Sequence, residues 1–277
     1  MAVLVTGDKW QELLLILESK LPDSVTIYGQ LKTSASGDWP CYSFWVDQWP
    51  GVTAVVATPM PDLMDSFSGR FHVIYGQEAE VVSRLLQHPG VLDRKQAMTF
   101  DLPPHLLPSL HHLAAGERGV ITTDEAGNVN TVDEGSLINV SVPDNMAVGQ
   151  VTRTDVASVC ATWEYKDPGV SAFVQRLVET SLPSVCVRTS DSQQKVAHAL
   201  VQPHHMIGML YVDVNFRRRG LGRFVVSHLA KKMLMTSPIA AAKVEDPNFA
   251  SQALMKSLGF ASHCKYLIVS FTPNEHS

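Results

Sequence analysis

The stretch Leu210-Tyr211-Val212-Asp213-Val214-Asn215-Phe216-Arg217-Arg218-Arg219-Gly220-Leu221-Gly222-Arg223-Phe224-Val225-Val226-Ser227-His228-Leu229-Ala230-Lys231-Lys232 decides the fold. Ahead of its centre, Leu210, Tyr211, Val212 and Val214 favour a strand; behind it, Leu221, Phe224, Val225, Leu229 and Met233 recur at helical spacing. The join, Arg217-x-x-Gly220-x-Gly222, is a basic glycine turn. Glycines there allow backbone conformations that a side chain forbids and let the chain approach a ligand closely. The first amides of the following helix lack intrahelical partners, and with the helix dipole they form an anion site suited to a phosphate. Arg218, Arg219 and Arg223 add cationic donors around it.

The cluster stands out because the chain as a whole is not basic. Its formal charge is −5, which argues against broad nucleic-acid binding. A chain of 277 residues has room for two domains, and 45% hydrophobic with 18% charged residues describes a globular protein. No apolar run is long enough to span a membrane. Cys41, Cys160, Cys186 and Cys264 are far apart and show neither metal-ligand spacing nor a disulfide framework, so reduced thiols and no metal are expected. The N-terminus lacks a secretory or Arg-rich presequence pattern, which points to an intracellular protein.

Working outward, Asp8 to Leu21 reads as a helix capped by Asp8. Ser24 to Leu31, with Val25, Ile27 and Tyr28, reads as a strand. So do Tyr42 to Val46, Val52 to Thr58 and Phe71 to Tyr75. Glu78 to Gln87 and Pro104 to Ala115 read as helices. Val120 to Thr123 and Val129 to Val132 flank Asp124-Glu125-Ala126-Gly127-Asn128 as a hairpin. Pro143-Asp144-Asn145 sets a domain boundary, giving 1–142 and 143–277. In the second part Val148 to Val151 is a strand, and Thr154 or Asp155 caps a helix to Trp163. Ser171 to Thr180 is a helix. Val185 to Thr189, Lys195 to Val201, His205 to Val212 and Ile239 to Val244 are strands. Phe249 to Leu258 is a helix, and Tyr266 to Phe271 closes that part's sheet.

The Arg-x-x-Gly-x-Gly turn after a Val-containing strand resembles the acyl-CoA loop of the GNAT acyltransferase superfamily. Two further marks agree: Asn248 to Phe260, an Asn opening a helix that ends in Leu-Gly-Phe, and Val148 to Trp163 as first strand and helix. Leu21 to Gly29, Val46 to Gly51 and Phe173 to Cys186 resemble the narrower glycine N-acyltransferase family. The resemblance implies an α+β fold with a mixed, mostly antiparallel sheet: a GNAT-type C-terminal half, and an N-terminal α/β domain that is a degenerate copy of it. It implies acyl-CoA as co-substrate and glycine or another small amino acid as acceptor. Mitochondrial or cytoplasmic residence is expected, with no nucleic-acid or membrane partner; nothing in the sequence speaks to oligomeric state. The pantetheine arm would lie beside Leu210, Tyr211 and Val212. The phosphates would lie on Arg217, Arg218, Arg219, Gly220, Leu221, Gly222 and Arg223. Asn248 would bond the arm, cap its helix, or both.

Acyl transfer needs a neutral amine, so a base is expected near the thioester. Where many members of the superfamily carry a Glu before the loop, this chain has Met206. His205, and less so His204, stand next to it as candidate bases, with Glu245 and Asp246 as runners-up. Strand alternation would turn His205 to the opposite face from Met206 unless a bulge intervenes. Met255 stands where many members have a Tyr to protonate the thiolate. Two other readings stay open: a protein or polyamine N-acetyltransferase, and a weakly active acyl-CoA-binding module.

Overall fold

The computed structural model describes residues 2–63 and 71–274. The chain divides into two compact units, Met1–Asn128 with Cys264–Ser277, and Val129–His263. This division falls earlier than the Pro143-Asp144-Asn145 stretch, because the chain leaves the first unit within a strand rather than in a polar linker. It also returns at its end.

The first unit opens with β1 (Val3–Val5) and α1 (Trp10–Glu18). A short 3-10 turn over Gly7–Lys9 precedes α1, so Asp8 lies inside that turn, where it accepts from the Thr6 hydroxyl, instead of capping the helix directly. Leu13 and Leu17 are the buried stripe of α1. The expected strand at Ser24 to Leu31 is instead α2 (Val25–Ala35). Its residues are buried on nearly every side, from Val25, Ile27 and Tyr28 to Gln30, Leu31 and Ser34, so no polar face marks its period. The Ser24 hydroxyl donates to the Leu17 carbonyl and ties α1 to α2.

Then follow β2 (Tyr42–Val46), β3 (Ala54–Pro59), β4 (Phe71–Gly76), α3 (Ala79–Gln87), β5 (Met98–Leu102), α4 (Leu107–Glu117) and β6 (Val120–Val132). β6 is one continuous strand, not the expected hairpin. Its Asp124 and Glu125 accept from the hydroxyls of Ser270 and Tyr266, which holds the would-be turn extended.

The second unit comprises β7 (Met146–Gly149), α5 (Val156–Thr162), α6 (Val170–Glu179), β8 (Ser184–Thr189), β9 (Lys195–Val201), β10 (Ile207–Val212), α7 (Leu221–Leu234), β11 (Ala240–Glu245) and α8 (Phe249–Ser257). The last strand, β12 (Ala261–Thr272), carries the chain back into the first unit. The cap ahead of α5 is a reciprocal box between Thr152 and Asp155.

In the first unit the strands run β1-β2-β3-β4-β5-β12; in the second, β11-β10-β9-β8-β7. β4–β5 and β10–β11 are parallel, and the other described pairs are antiparallel. Tyr266 to Phe271 therefore does not close the sheet of the second part: Leu267 to Phe271 pair with β5, from Leu102 back to Met98. Such a pairing between parts of the chain far apart in sequence leaves no local signal. Each unit repeats one succession, strand–helix–helix–three strands–helix–strand–helix–strand, completed by β6 and β12.

The core of the second unit packs Leu221, Phe224, Val225, Leu229 and Met233 of α7 against Val185, Val187, Ala197, Ala199 and Ile207. Leu258-Gly259-Phe260 has a packing reason. Gly259 has φ +91°, and a Cβ there would lie 2.0 Å from the Ser136 carbonyl oxygen. Among the described residues no helix is long and apolar enough to cross a membrane.

Candidate functional site

β9 and β10 pair regularly from Ile207↔Val201 to Gly208↔Leu200, then slip to Tyr211↔His198. The slip is a β-bulge centred on Met209, whose φ is +52°. On its other edge β10 pairs with β11 at Ile207↔Ala242 and there only among the described residues. Beyond that point the parallel strands part. Leu210, Tyr211 and Val212, all half-buried, occupy the parted segment.

The parted strand runs into a 3-10 turn (Val214–Phe216) capped by Asp213, whose carboxylate accepts from the Asn215 amide at 2.9 Å. Arg217 Nε donates to the Val212 carbonyl at 3.1 Å and ties the loop to the strand. Arg218 takes φ +64° and Gly220 φ +81°, which turns the chain into α7. The first bond of α7 runs from the Phe224 amide to the Gly220 carbonyl, 2.9 Å. The amides of Leu221, Gly222 and Arg223 precede it and form the positive end of a helix of 14 residues. Arg219 lies over the Phe216 ring at 5.1 Å, and Arg223 reaches the Ser257 carbonyl at 3.3 Å. The expected loop residues therefore converge on one helix terminus, though Arg217 buttresses the loop.

Asn248 caps α8: its Oδ1 accepts from the Ser251 amide at 3.0 Å. Glu245 and Asp246 stand at the end of β11, and their carbonyls accept from Gln252 Nε2. His205 and Met206 lie ahead of β10, in the short turn from β9, so strand alternation does not govern their facing. The His205 amide donates to the Gln202 carbonyl at 2.8 Å, and its φ is +55°. Both side chains are buried. Burial, with Lys243 and His205 nearby, pushes His204 down to about 3, which keeps that ring neutral. Met255 is buried and can donate no proton.

Reading the sequence missed a second group of polar residues. Asp155 accepts from Arg188 at 2.5 Å, and Lys195 and His198 are enclosed on the same side of the sheet. Asp155 shows in the sequence only as a helix cap, and Arg188, Lys195 and His198 belong to no motif; the register of β8 on β9 brings those three together.

The tandem element order, the parted β10–β11 pair and the glycine loop are those of a GNAT-type fold. Within that fold the chain is similar in sequence to acyl-CoA:amino acid N-acyltransferases. Residues 1–135 match the family described as aralkyl acyl-CoA:amino acid N-acyltransferase, and residues 184–269 match FR47-like protein. Among curated proteins, none matches the sequence. A Drosophila protein of known crystal structure has the same fold over 99% of both chains, with TM-score 0.79 and 18% identity. A tandem GNAT protein from the clavulanic acid biosynthesis pathway aligns over 100% of this chain and 99% of its own, with TM-score 0.53 and 12% identity. A GCN5-related N-acetyltransferase from Kribbella flavida covers 81% of this chain and 88% of its own, with TM-score 0.56 and 13% identity.

Proposed function

We propose that the second unit transfers an acyl group from acyl-CoA to the amino group of glycine or another small amino acid, by direct attack in a ternary complex. The observation that carries this reading is the parting of β10 from β11 beyond Ile207↔Ala242, at a strand that leads into a basic helix N-terminus. An amide-bearing pantetheine arm fits beside Leu210, Tyr211 and Val212 as an added strand would. The amides of Leu221, Gly222 and Arg223 receive the pyrophosphate, and Arg218, Arg219 and Arg223 surround it. Asn248 keeps its side-chain nitrogen for the arm, because the cap uses only its oxygen.

In the reaction the amine lone pair attacks the thioester carbon. The C–N bond forms, the nitrogen gives up a second proton to water, the C–S bond breaks, and CoA leaves as the thiol when water returns a proton to its sulfur. The ammonium proton must go first, and His205 is the base in this reading, directly or through a water. Met206 cannot accept it, and Glu245 and Asp246 are the alternative. With Met255 in the other position, water protonates the thiolate.

A thiol-release assay over a panel of acyl-CoAs and amino acids tests the proposal. Turnover with free amino acids is expected. Turnover confined to polyamines or protein lysines would move the acceptor. Acyl-CoA binding without any turnover would favour the binding module, a reading motivated by Met206 and Met255.

A further inference from the structure

β9 contains an irregularity that redirects a charge. Val187 pairs with Ala197, but Arg188 pairs with Lys195, so Lys195 and Val196 together stand opposite one residue of β8. A bulge of this kind breaks the alternation of side chains. Val196 accordingly joins Ala197 in the core beneath α7. Lys195 is turned to the other face, where Cys186, His198 and Tyr211 form a row across β8, β9 and β10. The charges agree: Lys195 feels Asp155, Cys186 and Arg188, and His198 feels Lys195 and Asp155.

This group is one negative charge short. Asp155 is committed, with Oδ1 on Arg188 and Oδ2 on the amide and hydroxyl of Thr152, at 2.9 and 2.8 Å. Lys195 Nζ and His198 Nδ1 are enclosed and have no hydrogen-bond partner among the described residues. His198 is only 1% exposed. Burial draws Lys195 below its ordinary range and His198 to about 3, as expected of groups lacking a counter-charge. Enclosed polar atoms are rarely left so, and their surplus points to an anionic occupant.

We infer that Lys195 and His198 seat the carboxylate of the amino-acid acceptor, with the Arg188–Asp155 pair holding the wall around them. This rests on the amino-acid reading of the acceptor above. A carboxylate supplies both the missing charge and acceptors for Nζ and Nδ1–H. His198 stands opposite Tyr211 on β10, the strand proposed to flank the pantetheine arm. An α-amino group, one carbon from its carboxylate, is thereby brought to that strand. A polyamine, which carries only positive charge, is repelled by the same seat.

The test compares glycine with glycinamide as acceptors for the full-length protein at fixed acyl-CoA. Glycinamide keeps the amine, which is the easier of the two to deprotonate, and lacks the carboxylate. The wild type should favour glycine in kcat/KM by on the order of 10²-fold, the size expected when one partner of an enclosed charge pair is lost. Lys195→Met should erase that preference by raising KM for glycine. Its turnover of glycinamide and its KM for acyl-CoA should hold. His198→Gln should erase part of it. Equal use of both acceptors by the wild type overturns the inference, as does a parallel loss for both acceptors in Lys195→Met, the mark of a purely structural group. Should Lys195→Met fail to fold, propionate decides: it should compete with glycinamide in the wild type, and an absence of competition overturns the seat. Absence of turnover with every amine would sink the parent reading and this one with it; turnover without a carboxylate preference sinks this one alone.

Discussion

The two units lay down the same succession of elements, but they treat the turn before the third helix of that succession in opposite ways. In the second unit eight residues, 213–220, separate β10 from α7, and they carry the arginines and Gly220. In the first, only Gln77 and Glu78 separate β4 from α3, and Glu80 lies in the first turn of the helix. A Cβ on Gly76 would meet Val82 Cγ2 at 2.4 Å, so α3 closes directly onto the strand end. β4 and β5 stay paired from Phe71↔Thr99 to Val73↔Asp101, where β10 and β11 part after one pair. A hollow of about 580 Å³ survives in the first unit, lined among others by Tyr75, Gly76, Gln77, Pro104 and His105. His105 Nε2 lies 3.0 Å from the Gly76 carbonyl at its rim. The scaffold tolerates loss of the anion cradle because the helix and sheet cores do not depend on it. Site chemistry resides in the loop and fold stability in the apolar faces.

The strongest way to break the contrast is to give α7 the acidic first turn of α3. Gly222 occupies the position of Glu80. A Cβ there would lie 3.7 Å from Val212 Cγ2 and 3.8 Å from Leu254 Cδ2, which is ordinary contact. Gly222→Glu should therefore fold with little change in Tm but lose the rise in Tm that acyl-CoA gives the wild type by mass action. A variant that keeps the full ligand-induced rise would refute the phosphate cradle. Next in size is the base. His205→Ala should lower kcat by 10²–10⁴-fold with acyl-CoA affinity nearly constant. Met206→Glu should raise activity. An unchanged kcat in His205→Ala would pass the role to Glu245 or Asp246.

The part of this contrast that could be read in advance is the part written in local chemistry. The glycine turn, α7 and most strands of the second unit follow from residue type and period, and so do β2 and β4. The α2 helix was hidden because Val25, Ile27 and Tyr28 favour strands, and its near-complete burial removed the amphipathic stripe. The hairpin expected at Asp124 to Asn128 failed because Ser270 and Tyr266, far along the chain, bond its acidic residues in extended form. The Lys195–His198 group was unreadable for a related reason. A lysine and a histidine three apart on a strand fall on opposite faces, and only the bulge against β8 unites them.

That buried group sharpens the comparison through pH. His198 and His204 are both held near 3 by burial, against an unfolded value of about 6.5. Between those values the unfolded chain binds a proton at each ring and the folded chain does not. Stability should therefore fall as pH drops from about 6.5, with a slope in the folding equilibrium of about tenfold per pH unit for each histidine. Asp155, which burial pushes up but the Thr152 amide and Arg188 more than pull down, adds its loss only in the carboxylate range. Denaturant melts at pH 6 and 5 isolate the imidazole contribution. His198→Gln should reduce the slope by one histidine's share, and an unaltered slope would mean that His198 is protonated in the fold.

The smallest expected effects come from the arginines, and here the structure separates residues that the sequence treats alike. Arg217 is spent on the Val212 carbonyl, Arg223 on that of Ser257, and Arg219 on the ring of Phe216. Arg218 makes no hydrogen bond or ion pair among the described residues, and its φ of +64° carries it into the turn beside Gly220. All four are exposed, so each contributes a screened attraction to a phosphate rather than a desolvated one. Arg218→Gln should weaken CoA and acyl-CoA together by a few-fold at low ionic strength, and by less in high salt, where the Debye length shrinks to a few ångströms. It should leave Tm unchanged, because nothing in the fold leans on that guanidinium. Arg217→Gln should weaken both ligands to a similar degree but keep more of its effect in salt, because what it removes is the tie between loop and strand. Titration of CoA and of two acyl-CoAs of different chain length, at two salt concentrations, distinguishes the pair. A loss confined to one acyl chain in Arg218→Gln would put that side chain at the acyl end of the cleft and not at the phosphates.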